Sequence, residues 1–454
     1  MKKIKNLPES SFLLLLFGFF SFAFLAAAPL MPDRAEIFSG LIRIVSQSSK
    51  ISTNYFAVGG YAATFLNMGL VGVLMVAMFA IFGAKPNNAS TLAFILTLGF
   101  CSWGINILNM WPSIFGVMVY CLVKKEKFGA NVNAMLFSTG IAPLITDLMI
   151  RYPHAEVIGF NPPGIVLALA VGLIIGFFLP AGLAHSPKVH KGFDLYSAAL
   201  PIGMTAFFLN ATLFKTLGVA LPKALSDIAP ESMQVAPQAT VNIFCGVLFG
   251  TCVVLALLLG CRPKDYWKLL TDPALVTNFS STYGNATFLM NVGVFGLFIL
   301  GYYNLIGATF NGITFGIIFC MLATCNSGSH PGNVWPIMLG YFVASTVAGW
   351  IAPLVGGTFT LAINAQAIVV GLCYANGLSP IADKYGWHCG FIAAIMHYLL
   401  VTSVPALHGG YCLYNGGFTA ALICLILVPE LERFFKTKDE RKEAKAAKKT
   451  TNAQ

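Results

Sequence analysis

Charged side chains are scarce in this chain. Asp, Glu, Lys and Arg make up 10% of the 454 residues against 57% for the hydrophobic types, and a soluble protein of that length would have too little polar surface to cover its core. Strict alternation of apolar and polar residues is missing as well, which excludes a transmembrane β-barrel. The eleven cysteines form no CxxC and no zinc spacing. Most of them, such as Cys101, Cys245 and Cys320, sit in apolar runs, where Cys serves as a small hydrophobe. HExxH, GxSxG and P-loop motifs are absent, so nothing points to zinc hydrolysis, serine hydrolysis or ATP use. His185, His190 and Asp194 form only a loose set and read as interfacial loop residues. The chain is therefore expected not to be an enzyme, with no catalytic residue, metal ligand or cofactor assigned.

What is present is a succession of apolar runs long enough to cross about 30 Å of hydrocarbon as helices. Backbone polar groups in lipid must be satisfied within the chain, so the expected fold is all-α and polytopic. The net charge of +10 does not imply a nucleic-acid partner. Its bases flank apolar segments, at Lys2, Lys3 and Lys5, at Lys124, Lys125 and Lys127, and after Lys436, as membrane orientation requires.

The chain also repeats itself. A shift of 224 positions lays Thr53 to Gly116 over Thr277 to Gly340 without a gap, and about a quarter of the positions are identical. The identities fall on punctuating residues rather than on Leu, Val or Ile: Asn54/Asn278, Gly60/Gly284, Asn67/Asn291, Gly69/Gly293, Gly72/Gly296, Asn87/Asn311, Gly104/Gly328, Asn109/Asn333, Trp111/Trp335 and Pro112/Pro336. Further matches pair Gly140 and Pro143 with Gly377 and Pro380, and Leu195-Tyr196 with Leu413-Tyr414. Residues 1–217 form the first repeat, 218–236 a linker, 237–435 the second repeat and 436–454 a charged, solvated tail. The apolar run from Phe12 to Leu25 is kept as a first helix rather than a cleaved leader, because Pro237 to Pro263 is its counterpart.

The third apolar segment of each repeat, Ser90 to Val123 and Thr314 to Trp350, is too long for one crossing and is broken at its centre by Gly, Asn and Pro. Two half-helices of about fourteen residues cannot each span a bilayer, so each segment reads as a re-entrant hairpin. Re-entry places Lys85 and Lys124 to Lys127 on one side with both termini, taken as cytoplasmic. It also leaves five crossings per repeat, an odd number, so the repeats are inverted. Twelve full crossings with parallel repeats is the alternative.

The candidate solute site lies at the hairpin centres, at Ser102, Asn106 and Asn109 in one copy and Asn326, Ser327, Ser329, His330 and Asn333 in the other, with the two tips meeting. Asn109 and Asn333 precede the Trp111-Pro112 and Trp335-Pro336 helix starts as N-caps, so that free N-H groups and the positive dipole end face the midplane. Thr139 and Asn376, just before the fourth-segment glycines, are placed to line a cavity. Asp147 and Asp383 are candidates for ion coupling, because a carboxylate at bilayer depth costs about 2.5 to 3.5 kcal/mol. The Asn67-x-Gly69-x-x-Gly72 and Asn291-x-Gly293-x-x-Gly296 patterns read as close helix packing with a cross-helix hydrogen bond.

The duplicated Asn67/Gly69/Gly72 pattern with Trp111-Pro112, and its second copy, resembles an uncharacterised family of two-repeat bacterial membrane proteins. The inferred architecture is similar to urea transporters and to elevator-type secondary transporters. It implies a cell-membrane secondary transporter of a small polar or anionic solute, driven by H+ or Na+ and working by alternating access. A channel-like facilitator is the alternative, and a membrane-embedded enzyme a more distant one. Lipid and a small solute are the expected partners, and a homo-oligomer is compatible with the pattern.

Overall fold

The computed structural model describes residues 7–221, 238–271 and 277–451. The basic cluster at Lys2 to Lys5 and nearly all of the linker, with Asp227 and Glu231, lie outside the described residues. The described residues form helices joined by loops, with no strand among them, and seven of those helices are long and apolar enough to cross a membrane.

The first repeat runs through α1 (Glu9–Ala27), α2 (Ile37–Ser46), α3 (Tyr61–Ile81), α4 (Asn88–Phe100), α5 (Trp111–Lys124), α6 (Val132–Ser138), α7 (Ala142–Arg151), α8 (Pro162–His190) and α9 (Ala199–Asn210). The second retraces it with α10 (Gln238–Leu258), α11 (Pro263–Thr271), α12 (Asn285–Leu305), α13 (Gly312–Leu322), α14 (Pro331–Leu354), α15 (Gln366–Ala375), α16 (Ser379–Tyr385), α17 (Trp387–Val401) and α18 (Asn415–Phe434). A last helix, α19 (Lys438–Thr451), carries the tail.

Local chemistry repeats with the sequence. Both α3 and α12 start from a glycine at positive φ, Gly60 at 89° and Gly284 at 84°, where a side chain would be strained. Asn87 and Asn311 cap α4 and α13 by accepting from the Ser90 and Thr314 N-H groups. Gly69 and Gly72 bring α3 against Leu25 and Ser21 of α1, and Gly293 and Gly296 bring α12 against Phe249 and Val253 of α10. The fourth segment is broken in each copy by a 3-10 turn, at Thr139–Ile141 and Asn376–Leu378.

Both third segments turn back on themselves. In the first copy the chain leaving α5 returns to the chain entering α4: the Phe128 and Phe82 rings lie 5.4 Å apart, and Gly129 abuts the Phe82 carbonyl. In the second, Asn311 donates to Gln366 and Asn364 donates to the Gly307 carbonyl. The arms match the expected half-helix in the first copy, at 13 and 14 residues, but not in the second, at 11 and 24. Lys125, in the left-handed region at φ 58°, stops α5 beside a cluster of bases, whereas α14 meets no such stop before Val355.

The two hairpins lie side by side and point opposite ways. Ser102, at the turn after α4, donates to the Gly312 carbonyl where α13 begins, while Asn326, at the turn after α13, donates to Thr91 where α4 begins. Midway, the Cys320 thiol reaches the carbonyl of Leu96, its own partner under the 224-residue shift. A residue touching its repeat mate marks a pseudo-two-fold axis, which here passes through the middle of α4 and α13. Gly99 and Gly316 permit the approach: a Cβ on either would sit within 2.5 Å of the other's carbonyl oxygen.

The repeats are also interlocked. Leu413 donates its N-H to the Gly140 carbonyl, and Leu195 donates to that of Gly377. The Tyr414 and Tyr196 rings cover those two glycines. Each repeat thus plugs the broken fourth segment of the other with the strand of chain before its own last helix.

Candidate functional site

The hairpin tips are built by two asparagines per copy, and their bonds to the main chain of the turn recur in both copies. Asn67 Nδ2 donates to the Cys101 and Ile105 carbonyls at 2.7 and 2.9 Å. Asn291 Nδ2 donates to those of Cys325 and Ser329 at 2.8 and 3.0 Å. Asn109 Oδ1 accepts from Asn106 N-H while its Nδ2 donates to Gly104 O, and Asn333 does the same with His330 and Gly328. All four asparagines are buried. Breaking a helix inside lipid frees carbonyls that need donors, and these amides supply them.

Asn109 and Asn333 are therefore clamps rather than N-caps, a correction to the sequence reading. The N-cap positions are Met110 and His330. At the second tip the His330 Nδ1 accepts from Gly332 N-H, and Asn333 and Val334 donate to the His330 carbonyl, so this helix start is saturated by the chain itself. Asn106 plays the corresponding part at the first tip, where its Oδ1 accepts from the Leu108 and Asn109 N-H groups.

The tips do not meet. Ser102 and Asn326 sit at opposite ends of the paired half-helices, and eleven residue steps lead from Thr91 in α4 to Ser102 just beyond it, which at 1.5 Å per residue is about 16 Å. The reason is long-range: α4 and α13 pack along their whole length, which drives each tip past the other. Ser327 accordingly bonds Asn88, and Ser329 lies 3.3 Å from Ser379. Thr139 donates to its own helix at Leu136 O, while Asn376 Nδ2 donates to Met321 O, Thr324 Oγ1 and the Tyr196 hydroxyl.

The two acids are not repeat mates. Asn109 Nδ2 donates to Thr146 Oγ1 and Asn333 Nδ2 donates to Asp383 Oδ2, so Thr146 occupies the place of Asp383 and Asp147 stands one residue beyond it. Asp147 is wholly buried and fully engaged: it accepts from Ser48 at 2.7 Å, from Arg151 Nε and Nη2 at 3.0 and 2.7 Å, and from Tyr411 at 3.0 Å. Arg151 also donates to the His154 and Ala220 carbonyls. A carboxylate so paired has no lone pair left for a coupling ion. The cluster joins the 48–50 loop, α7 and the segment at Tyr411 in one closed contact beside the first tip.

Asp383 differs. It shares a cavity of about 320 Å³ with Gly332, Asn333, Pro336, Trp387, His388, Lys438 and Arg441. The tail helix forms one wall and is docked through Arg441, which donates to the Tyr385 carbonyl; a free solvated tail does not describe it. A second polar cavity of about 380 Å³, lined by Arg262, Asp265 and Lys268 among others, lies beside α11 and the start of α12. There the Arg262 hydrogen bonds hold the Asp265 carboxyl below the usual carboxylate range. A larger groove of about 780 Å³ runs between α8 and α9 and is almost entirely apolar, with His185 on its wall. Among the described residues no three His, Cys, Asp or Glu side chains gather closely enough to hold a metal ion.

A model of a protein family described only as a protein of unknown function, DUF1576, matches residues 33–216 and 263–433. The chain belongs to that family. The two stretches cover most of both repeats and agree with a two-repeat family without assigned activity. No curated protein and no solved structure matches the chain.

The sequence pointed to the residues at both tips but missed Arg151, Ser48 and Tyr411, which complete the Asp147 cluster. An Arg four residues after a buried Asp on one helix face was the available signal; Ser48 and Tyr411 carried none.

Proposed function

We propose that this DUF1576 protein is a secondary transporter that moves a small polar solute across the cell membrane by alternating access. The observation that supports it best is the asymmetry of two equivalent sites. At one end of the molecule the first tip is shut in by the Asp147, Arg151, Ser48 and Tyr411 cluster, while at the other a cavity reaches Asn333 and Asp383. Two inverted hairpins, one covered and one approachable, are what a carrier caught in one of its end states would present. Interchange of the two local arrangements would open the first tip and cover the second, with the pseudo-two-fold axis at Leu96 and Cys320 as the pivot. The close contact of Gly99 with Gly316 fills that axis and weighs against a continuous facilitator pore.

In this reading Asp383 is the coupling residue for H+ or Na+, and Asp147 is a gate. The end that carries α19, with Lys85, Lys124 to Lys127 and Lys438, faces the cytoplasm. The test is uptake of a panel of small polar solutes into proteoliposomes, with and without ion gradients, for the wild type, Asp383→Asn and Asn333→Ala. Gradient-driven uptake that both substitutions abolish is expected. Uptake indifferent to gradients, and equal in all three proteins, would refute a coupled carrier centred on this tip.

A further inference from the structure

The repeat symmetry singles out one position at each tip. Asn106 and His330 are mates under the 224-residue shift, and each is buried, at 0% and 1% exposure. Each also has one polar atom committed to the chain and one left over. Asn106 Oδ1 accepts two backbone N-H groups, and its Nδ2, beside the Tyr55 hydroxyl, has no acceptor within hydrogen-bond distance. His330 Nδ1 accepts from Gly332 N-H, which requires the proton of a neutral ring to be on Nε2, and Nε2 has no partner either. At the first tip Trp103 Nε1, another group that can only donate, is also unpartnered.

Buried donors without acceptors are rare, because each costs roughly 1 to 3 kcal/mol in desolvation. Two of them at pseudo-equivalent positions, on residues of different type, are not an accident of one side chain. The capping bonds also fix their direction. With the acceptor atom of each side chain turned to the backbone, the free N-H is turned away from the capped turn. Each chain-facing bond would be satisfied by any short acceptor side chain; what Asn and His add in common is the outward donor.

We propose that Asn106 and His330 are the paired solute contacts of the two end states, and that they select a solute presenting a hydrogen-bond acceptor oxygen, a carboxylate or a carbonyl, over one presenting only donors. The proposal rests on the carrier reading above and narrows its substrate class. The Phe279 ring, 6.1 Å from the His330 ring, supplies an apolar flank that strengthens such a bond by excluding water, whereas its mate Tyr55 at the first tip brings its hydroxyl to Asn106.

The test uses the full-length protein in lipid nanodiscs and three probes: formate, acetone and methylammonium. Formate and acetone are acceptor-only, one charged and one neutral, and methylammonium is donor-only. Apparent affinity is read from the rise in unfolding midpoint with probe concentration. Formate or acetone is expected to stabilise the wild type, and methylammonium is not. In Asn106→Ser and His330→Ser the serine hydroxyl still caps the turn but the outward donor is gone. Affinity should fall about tenfold for the site affected, and the response should vanish in the double variant. The exchange variant Asn106→His/His330→Asn keeps a capping acceptor and an outward donor at both tips, so it should fold and respond as the wild type does. A wild type that answers neither acceptor probe, or a double variant that titrates unchanged, overturns the proposal. Uptake of radiolabelled formate or acetone into proteoliposomes separates the two claims. Binding without uptake defeats the carrier and leaves the sites standing, whereas uptake unaffected by the serine variants defeats the sites and leaves the carrier.

Discussion

The tip asparagines make a quantitative demand. Asn67 makes three hydrogen bonds, donating to Cys101 O and Ile105 O and accepting from Ile107 N. Asn67→Leu removes all three with little change of volume and leaves two carbonyls and one N-H unpaired away from water. At about 0.5 to 1.5 kcal/mol net per bond, and with cross-helix bonds in membrane proteins averaging about 0.6, the cost should be about 2 to 4 kcal/mol. It should be local, because the bonds hold the tip and not the ends of the arms. Cys101 reports on it directly: its carbonyl is one of the lost partners and its thiol is buried. In a background lacking the other ten cysteines, labelling of Cys101 by a membrane-permeant maleimide should accelerate on the order of 30- to 1000-fold, the factor that 2 to 4 kcal/mol of opening implies. Asn291 makes the same two donor bonds and accepts in addition from Tyr266, so Asn291→Leu with Cys325 as reporter should behave alike. Unchanged labelling in both variants, with unchanged unfolding midpoints, would refute the idea that these amides hold the hairpins shut.

Three further outcomes are expected. Single cysteines at Lys85 and Lys127 should react with an impermeant maleimide from one face of the membrane, and cysteines at Thr309 and Asn364 from the other, since each pair brackets a hairpin that returns to its starting end; opposite-face labelling within a pair would show a full crossing. Arg151→Leu should cost about 3 to 5 kcal/mol by leaving the Asp147 carboxylate buried without its cation, and adding Asp147→Leu should restore most of that in a thermal unfolding assay. Gly140→Ala and Gly377→Ala would place a Cβ 2.2 and 2.6 Å from the Tyr414 and Tyr196 rings; each should lower the unfolding midpoint by an amount corresponding to about 1 to 3 kcal/mol, and Tyr414→Leu should rescue Gly140→Ala but not Gly377→Ala.

How far the chain could be read without coordinates depended on the range of the interactions involved. The all-helical membrane class and the broken third segments follow from local rules, apolar length and the punctuation of Gly, Asn and Pro, and those rules act within a few residues. The tip-to-tip arrangement did not survive because it depended on how α4 meets α13, a contact set by Gly99 and Gly316, more than 200 residues apart. Asp147 and Asp383, taken together as coupling candidates, do not occupy equivalent places. The ungapped shift of 224 ends near Gly340, but the Gly140/Gly377 and Pro143/Pro380 matches set Thr146 against Asp383, and the bonds from Asn109 and Asn333 place those two side chains alike. Asn109 was misread for a related reason: an Asn before a helix is an N-cap by statistics, but a clamp donating to a carbonyl five residues back cannot be told from one by sequence.

The departures from symmetry carry more information than the symmetry. The duplicated bonds of Asn67, Asn109, Asn291 and Asn333 show what both halves need in order to fold, and a solute contact or a gate need not appear among them. Several of the places where the mates differ lie at the tips and their flanks: Asn106 against His330, Tyr55 against Phe279, Thr146 against Asp383, and the Asp147 and Arg151 pair with no counterpart in the second repeat. A carrier whose two end states were energetically equal would have no reason to vary these positions and keep the clamps. Restoring the symmetry should therefore act on direction before it acts on stability. With Asp383→Thr making the second tip like the first, the clamp keeps an acceptor for Asn333, so the fold should persist while the response of uptake to an imposed ion gradient is lost. Gradient-driven uptake that persists in Asp383→Thr would place the coupling elsewhere in the molecule.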